Sequence, residues 1–159
     1  MTHITLITVG TLKEPYLTAA AAEYKKRLSA YARIEEIELR EERITSEDNP
    51  REVAAALASE GERILKAIPK DAYTVALCVE GVSLDSVKLA EHIRAATDTC
   101  GKLCLIIGSS HGLAEEVKRS CAMRLSISEL TFPHQLMRVL LYEILYRSYT
   151  ILAGKRYHK

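Results

Sequence analysis

The sequence predicts an α/β fold, a parallel β-sheet with helices on both faces, and two observations predict it. Strand-like and helix-like segments alternate five times along the 159 residues, with no repeat and no linker long enough to divide domains. The run "KLCLIIG" is almost wholly apolar, the pattern of a central parallel strand covered on both faces. The length suits one domain over residues 1–159, which removes roughly two-thirds of the unfolded surface on folding.

Each element has its own warrant. "HITLITVG" is a β-rich run that ends at Gly10. "KEPYLTAAAAEYKKRLSAYA" is Ala-rich, and Leu17, Ala21, Tyr24 and Leu28 recur at helical spacing. "RIEEIELREE" sets Ile34, Ile37 and Leu39 among charges, as expected of a strand wet on one side. Asp48 or Asn49 can cap a helix with Pro50 in its first turn, which "REVAAALASEGERILKAI" continues. "YTVALCVEG" is a strand, and "SLDSVKLAEHIRAATDT" an amphipathic helix for which Ser83 is a candidate cap. After "KLCLIIG", "LAEEVKRSCAM" is a short helix, "RLSISEL" a strand, and residues 133 to 152 the last long helix.

Composition excludes several classes. With 48% hydrophobic and 27% charged residues and a net charge of +1, the chain is neither disordered nor strongly basic. No apolar run approaches the roughly 20 residues of a membrane span, and the N-terminal segment lacks the basic n-region of a signal peptide. Cys78, Cys100, Cys104 and Cys121 form no C-x-x-C pair, so their spacing does not suggest zinc. Three of the four sit in or beside apolar strand-like runs, so ordinary buried thiols in a reducing compartment, the cytoplasm, are the expectation. Charge is nevertheless uneven. Glu35 to Asp48 holds seven carboxylates against two Arg, whereas Thr131 to Lys159 holds five Lys/Arg against Glu143 alone. That split is what a C-terminal end facing an anionic partner would show, and equally what a solvated basic tail would show.

Ligands of open α/β sheets bind beyond the carboxyl ends of the strands. The loops to inspect therefore follow Val79, Ile107 and Ile127. "IGSSHG" places Gly108, Ser110 and Gly112 in a G-x-S-x-G pattern between strand and helix, so a serine-hydrolase elbow with a Ser110–Glu129–His158 triad can be written. The competing reading is a backbone cradle, in which two Gly let main-chain groups approach a ligand closely. Neither a dinucleotide fingerprint nor a P-loop is present. "ISELTFPHQLMR" puts Leu130 and Phe132, both large and apolar, into a short loop, where they need something to pack on. His134 and Arg138 stand four apart on one face of the last helix. That helix is greasy on nearly every side: Leu136, Met137, Val139, Leu140, Leu141, Ile144 and Leu145 exceed one stripe, and Tyr142, Tyr146 and Tyr149 fill more of the circumference.

"IGSSHGL", "LTFPHQLMRVLLYEILYRSYTI" and the terminal "YHK" together resemble the SPOUT methyltransferases, and among them the enzymes that methylate N3 of a pseudouridine in large-subunit (23S) ribosomal RNA. "ITLITVGTLKEPYLTAAAAEYKKRL" and "SEGERIL" extend the resemblance over essentially the whole chain. It implies a C-terminal trefoil knot, S-adenosyl-L-methionine as methyl donor, and a homodimer through the last helix. Carried across by position, the cofactor pocket is Leu77, Gly108 and the stretch Ile127, Ser128, Glu129, Leu130, Thr131 and Phe132. Arg138 and His158 become the residues expected to favour the imide anion of the target or to help remove its proton. Arg147, Lys155, Arg156 and Lys159 become phosphate contacts, and Tyr157 a stacking residue. An assembled ribosome, recognised by shape, is the expected substrate. A non-catalytic ribosome-binding module is the remaining alternative. Ser109 and His111 depart from the family pattern, which commonly has a second Gly and a small or acidic residue there.

Overall fold

Leu103–Ile107 has water on neither side, and the strand it forms lies at the middle of the sheet. The computed structural model describes residues Met1–Lys159. In chain order the elements are β1 (Thr2–Val9), α1 (Pro15–Leu28), β2 (Ala32–Leu39), α2 (Pro50–Ala67), β3 (Tyr73–Ser83), α3 (Ser86–Cys100), β4 (Lys102–Ile107), α4 (Glu115–Ser120), β5 (Met123–Ser126) and α5 (His134–Leu152). The five strands pair in the order β2-β1-β4-β3-β5, all parallel.

Local chemistry sets the boundaries. Pro15 and Pro50 open α1 and α2, where a missing N–H costs nothing. The Asn49 side chain accepts from Arg51 N–H at 3.1 Å and from Glu52 N–H at 3.4 Å, so Asn49 is the cap of α2. The cap of α3 is Asp85, which accepts from Lys88 N–H at 2.8 Å. Ser83, the residue expected there, is instead the last of β3. The carboxylate two residues further on is the better acceptor beside a helix N-terminus. Gly101, at φ +67°, ends α3 in the left-handed conformation that glycine tolerates.

Helices cover both faces of the sheet. Ala21 and Leu28 of α1, Leu89 and Ile93 of α3, and Val139, Leu141, Tyr142 and Leu145 of α5 share one core with Ile4, Leu6 and Leu105. Ile64 of α2 and Val117 of α4 share the other with Ile7, Val9, Cys104 and Ile106. α5 packs between α1 and α3, although β5 lies at the far edge of the sheet. The segment 127–133 must therefore travel inward across the carboxyl ends of the strands.

This placement changes the reading of α5. No residue from His134 to Leu152 is fully exposed, because the sheet lies beneath the helix and α1 and α3 flank it. Tyr142 and Leu145 are core residues, not interface residues. What remains outside both cores is a stripe of half-buried Leu136, Leu140 and Ile151.

The buried Tyr142 hydroxyl donates to Glu36, which also holds the Lys25 ammonium at 2.9 Å. Burial opposes the charge on Glu36, but these two donors outweigh it and hold the carboxyl below its ordinary range. Burial, reinforced by Glu36, pushes the Tyr142 phenol well up. We expect Tyr142→Phe to cost about 1.5–3 kcal/mol at neutral pH, because the lost bond goes to a charged group. A carboxyl with a depressed folded pKa stabilises above its unfolded pKa, and that contribution is lost as pH falls through the folded value. The difference between wild type and variant in urea unfolding should thus shrink below about pH 4.

Candidate functional site

A cleft of about 800 Å³ opens at the carboxyl ends of the strands. Three segments wall it: Leu77–Glu80 from β3, Ile107–Leu113 after β4, and Leu125–Phe132 after β5, with His134 and Met137 of α5 closing one side. Two of these are loops that sheet logic singles out and the third is strand rather than the loop expected after Val79, and the volume lies in the range of about 300–1,000 Å³ usual for small-molecule sites. Of the eight residues expected to form a cofactor pocket, Leu77, Gly108, Ile127, Ser128, Leu130, Thr131 and Phe132 line the cleft. Glu129 is exposed and does not.

Two glycines make this geometry possible. A Cβ on Gly108 would stand 2.2 Å from the Gly112 carbonyl oxygen, so the loop 108–112 can fold back on itself only without one. Its closure includes Gly112 N–H donating to the Ser109 carbonyl at 2.9 Å. A Cβ on Gly81 would meet the backbone of Arg124 and Leu125 at 2.6–2.7 Å. Here β3 does not end at Val79 as expected; it continues to Ser83 and shifts register on β5 between Leu77 and Val82. A Gly inside a strand marks such a close approach, and this signal stood in "VEGVS" unread.

The loop 127–132 uses little of its main chain for internal bonds. Leu130 N–H donates to Ser128 Oγ at 2.9 Å, and the Ser128 carbonyl accepts from Ser126 Oγ at 3.1 Å. Leu130 is 72% exposed, an apolar side chain at the cleft without a packing partner of its own. On the opposite wall the Lys118 ammonium pairs with Glu80, and that pairing holds the Glu80 carboxyl below its ordinary range. Burial, with Glu80 adding to it, raises the Cys78 thiol, and burial pushes the Cys104 thiol up to about 12. Both are therefore protonated at neutral pH and poor nucleophiles. No group of three or more His, Cys, Asp or Glu is placed to hold a metal ion.

Arg138 does not line the cleft. It is 5% exposed, and its guanidinium donates to Glu38 Oε2 at 3.0 Å, to Thr8 Oγ1 at 2.8 Å and to the Gly10 carbonyl at 3.0 Å. Within the chain it clamps α5 to the carboxyl ends of β1 and β2. His158 is also remote: it lies 3.3 Å from an Arg147 nitrogen, thirteen residues or roughly 20 Å along α5 from His134. A Ser110–Glu129–His158 triad is accordingly not assembled in one chain. Ser110 also lacks the positive φ that would mark a strained elbow, since Asp71 is the one non-glycine residue with such a value.

The tail folds back on its own helix. Tyr157 packs edge-on against Tyr146 at 4.8 Å, lies 4.8 Å from the Arg147 guanidinium and donates to Glu143 at 3.1 Å. Glu143 also accepts from Arg147 at 2.6 Å, so this Arg is already neutralised and Tyr157 is not free to stack on a base in this arrangement. Lys155 sits 5.4 Å over the Tyr31 ring. Arg156 and Lys159 are exposed.

A parallel sheet with a cleft at its carboxyl ends is the frame of a ligand-binding α/β protein, and comparison with known proteins gives the class. The family model described as "Predicted SPOUT methyltransferase" matches residues 2–158, and the chain belongs to that family. It is a methyl-transferring enzyme. It is 45% identical over 158 residues to the protein named ribosomal RNA large subunit methyltransferase H of Bacillus pumilus, covering 99% of each chain. It is 45% identical over 161 residues to the Moorella thermoacetica protein of the same name, covering 100% of each. The Caldicellulosiruptor saccharolyticus protein, also so named, is 44% identical over 156 residues, which is 98% of this chain and 99% of that one. Among solved structures, a probable methyltransferase from Bordetella pertussis Tohama I shares the fold with TM-score 0.59 and 17% identity, over 92% of this chain and 96% of that one.

Two outcomes test the scaffold. Gly81→Ala should lower stability by about 1–3 kcal/mol, since backbone rather than a flexible side chain must yield, whereas Leu130→Ala should leave stability unchanged. Arg138→Ala should cost about 2–4 kcal/mol, because Thr8, Gly10 and Glu38 all lose a donor. Arg138→Lys should recover part of that, as an ammonium lacks the planar fork. Urea unfolding measures all four.

Proposed function

We propose that this chain methylates N3 of a pseudouridine in large-subunit ribosomal RNA, using S-adenosyl-L-methionine, as a homodimer acting on the assembled ribosome in the cytoplasm. The observation that carries the reading is the cleft. Three segments converge on it in a SPOUT methyltransferase whose full-length relatives are named for large-subunit ribosomal RNA.

The cleft suits the proposed donor. Leu77, Ile127, Leu130 and Phe132 offer apolar faces for a flat purine, and the loops after β4 and β5 offer main-chain donors and acceptors for its edges. When bound, S-adenosylmethionine supplies an electrophilic methyl group on a sulfonium. The inward course of residues 127–133 across the strand ends fits a trefoil knot, with the donor held by the knotted segments. The two cores, packed on opposite faces of one sheet, support a single domain over residues 1–159.

The remaining residues divide by position. Arg138 is a positioning residue, holding Gly10 and α5 in register at the cleft rim. In one chain the tail is too far away to act, so His158, Tyr157, Arg156, Lys155, Lys159 and Arg147 serve the cleft of a second copy. There His158 favours the imide anion, and the cations contact phosphate. The uncovered stripe Leu136, Leu140 and Ile151 on α5 supports a two-fold pairing through that helix. Docking of the tail on the second copy requires it to leave Glu143 and Tyr146.

Calorimetric titration should show S-adenosylmethionine binding, and labelled methyl should pass to assembled ribosomes faster than to isolated large subunits or free RNA. Equal rates on all three would end the shape-recognition idea. Ribosome binding without transfer would leave a non-catalytic module. Leu140→Glu should convert the dimer to a monomer in sedimentation with an unchanged circular dichroism spectrum.

Deleting Tyr157–Lys159 should preserve donor affinity while transfer falls about 10²-fold or more. The cross-subunit arrangement is tested by mixing tail-deleted chains with Thr131→Arg chains, in which a long side chain blocks the cleft. Mixed dimers keep one open cleft facing one intact tail and should recover part of the activity. Demonstrable mixed dimers that stay inactive would refute the shared site.

A further inference from the structure

We propose that His134 is the group that takes the proton from the target imide, an inference that rests on the methyltransferase reading above. Of the five histidines, His134 is the one at the α5 wall of the cleft. His92 is held by the Tyr73 hydroxyl at 2.8 Å, and His158 by Arg147 at the far end of α5. His3 lies at the amino end of β1, and His111 lies on the loop after β4, 3.8 Å from Glu47. His134 lines the cleft, is half-buried, and its ring enters none of the hydrogen bonds or ion pairs of the fold.

Its surroundings are specific. A Cβ placed on Gly10 would stand 3.7 Å from His134 Nε2 and 3.4 Å from Glu41 Oε2, so imidazole and carboxylate converge on the glycine that ends β1. Gly10, at φ +95°, is held from the other side by Arg138 through its carbonyl. The next residue of α5 is also pinned, since Gln135 Oε1 accepts from Lys13 N–H at 3.1 Å. The charged groups these contacts bring nearest the ring are thus Glu41 from the segment after β2 and Arg138 one turn along α5, while Lys13, after β1, contributes only its backbone N–H to Gln135. Across the cleft stand His111 and the Lys118–Glu80 pair. An imidazole with a free ring nitrogen at the cleft wall is the side chain most often used to move a proton in catalysis.

The chemistry balances. N3–H of the target ring gives its proton to a ring nitrogen of His134. The N3 lone pair forms the N–C bond to the methyl carbon as the S–C bond breaks, and that bond's electron pair stays on sulfur, leaving a neutral thioether. The imidazolium then loses its proton to solvent.

The test uses the full-length dimer and wild-type ribosomes. His134→Gln should bind S-adenosylmethionine within threefold of wild type, while single-turnover transfer falls about 10²–10⁴-fold. The imidazole limb of the pH–rate profile should vanish in that variant, and free imidazole should restore part of the rate to His134→Ala. In the wild-type protein, S-adenosylhomocysteine should shield His134, mapped by mass spectrometry, from carbethoxylation by diethylpyrocarbonate. An unchanged rate and profile in His134→Gln would overturn the proposal. So would a loss of donor affinity without imidazole rescue, which marks a structural role, and so would a His134 ring left unshielded. Wild-type protein that transfers no methyl to any ribosomal RNA would instead refute the underlying reading.

Discussion

The fold's carboxyl end depends on one guanidinium. Arg138 lies almost wholly out of water, and a charge so placed is tolerated only where its donors are met. Its partners come from β1 and β2, 100 to 130 residues away in sequence. Hydrophobic burial is non-directional. Leu141, Tyr142 and Leu145 would seat α5 between α1 and α3 without selecting its register, whereas a planar fork of donors admits one. With α5 fixed at Arg138, His134 one turn earlier and the loop 127–132 before it have little freedom about where they stand. The cleft wall is therefore positioned from within the core.

The same seating explains why α5 is apolar around its circumference. A helix covered by a sheet below and by helices on both sides has only a narrow outer arc. On that arc Leu136 and Leu140 precede, and Ile151 follows, Glu143 and Arg147, which the tail overlies through Tyr157. Tail and helix satisfy each other's charges locally. On the proposed reading, a tail that leaves for a second copy gives up the Glu143 bond and the Tyr146 contact, and bonds of similar strength at the other cleft must replace them.

Periodicity and turn chemistry made the five-fold alternation of strand and helix and the central place of β4 legible from sequence, because each is a local property of a short run, and the rule that ligands sit beyond the strand ends pointed to the cleft. The residues assigned to a cofactor pocket came instead from the family resemblance, and seven of the eight line that cleft. What escaped reading depends on contacts distant along the chain. The continuation of β3 past Val79 is set by the crossing of Gly81 against Arg124 and Leu125, which no window of sequence contains. Arg138 reads as a site residue when only its spacing from His134 is visible, and as a clamp once Thr8, Gly10 and Glu38 surround it. Sequence leaves Tyr142 and Leu145 open between core and interface, and the enclosing α1 and α3 decide for the core. Ser83 and Asp85 are both sound caps by residue type, and the length of β3 decides between them.

The charge distribution now has a sharper consequence than the sequence alone allowed. Of the five C-terminal cations, Arg138 is buried and Arg147 is neutralised by Glu143, while Lys155, Arg156 and Lys159 are exposed, the first of them lying over the Tyr31 ring. Each phosphate neutralised contributes a slope of about 0.7–0.9 to the dependence of log affinity on log salt. On the proposed reading, the tail therefore contributes only a small share of such contacts, and whatever further binding strength a ribosomal RNA substrate needs falls to other parts of the surface.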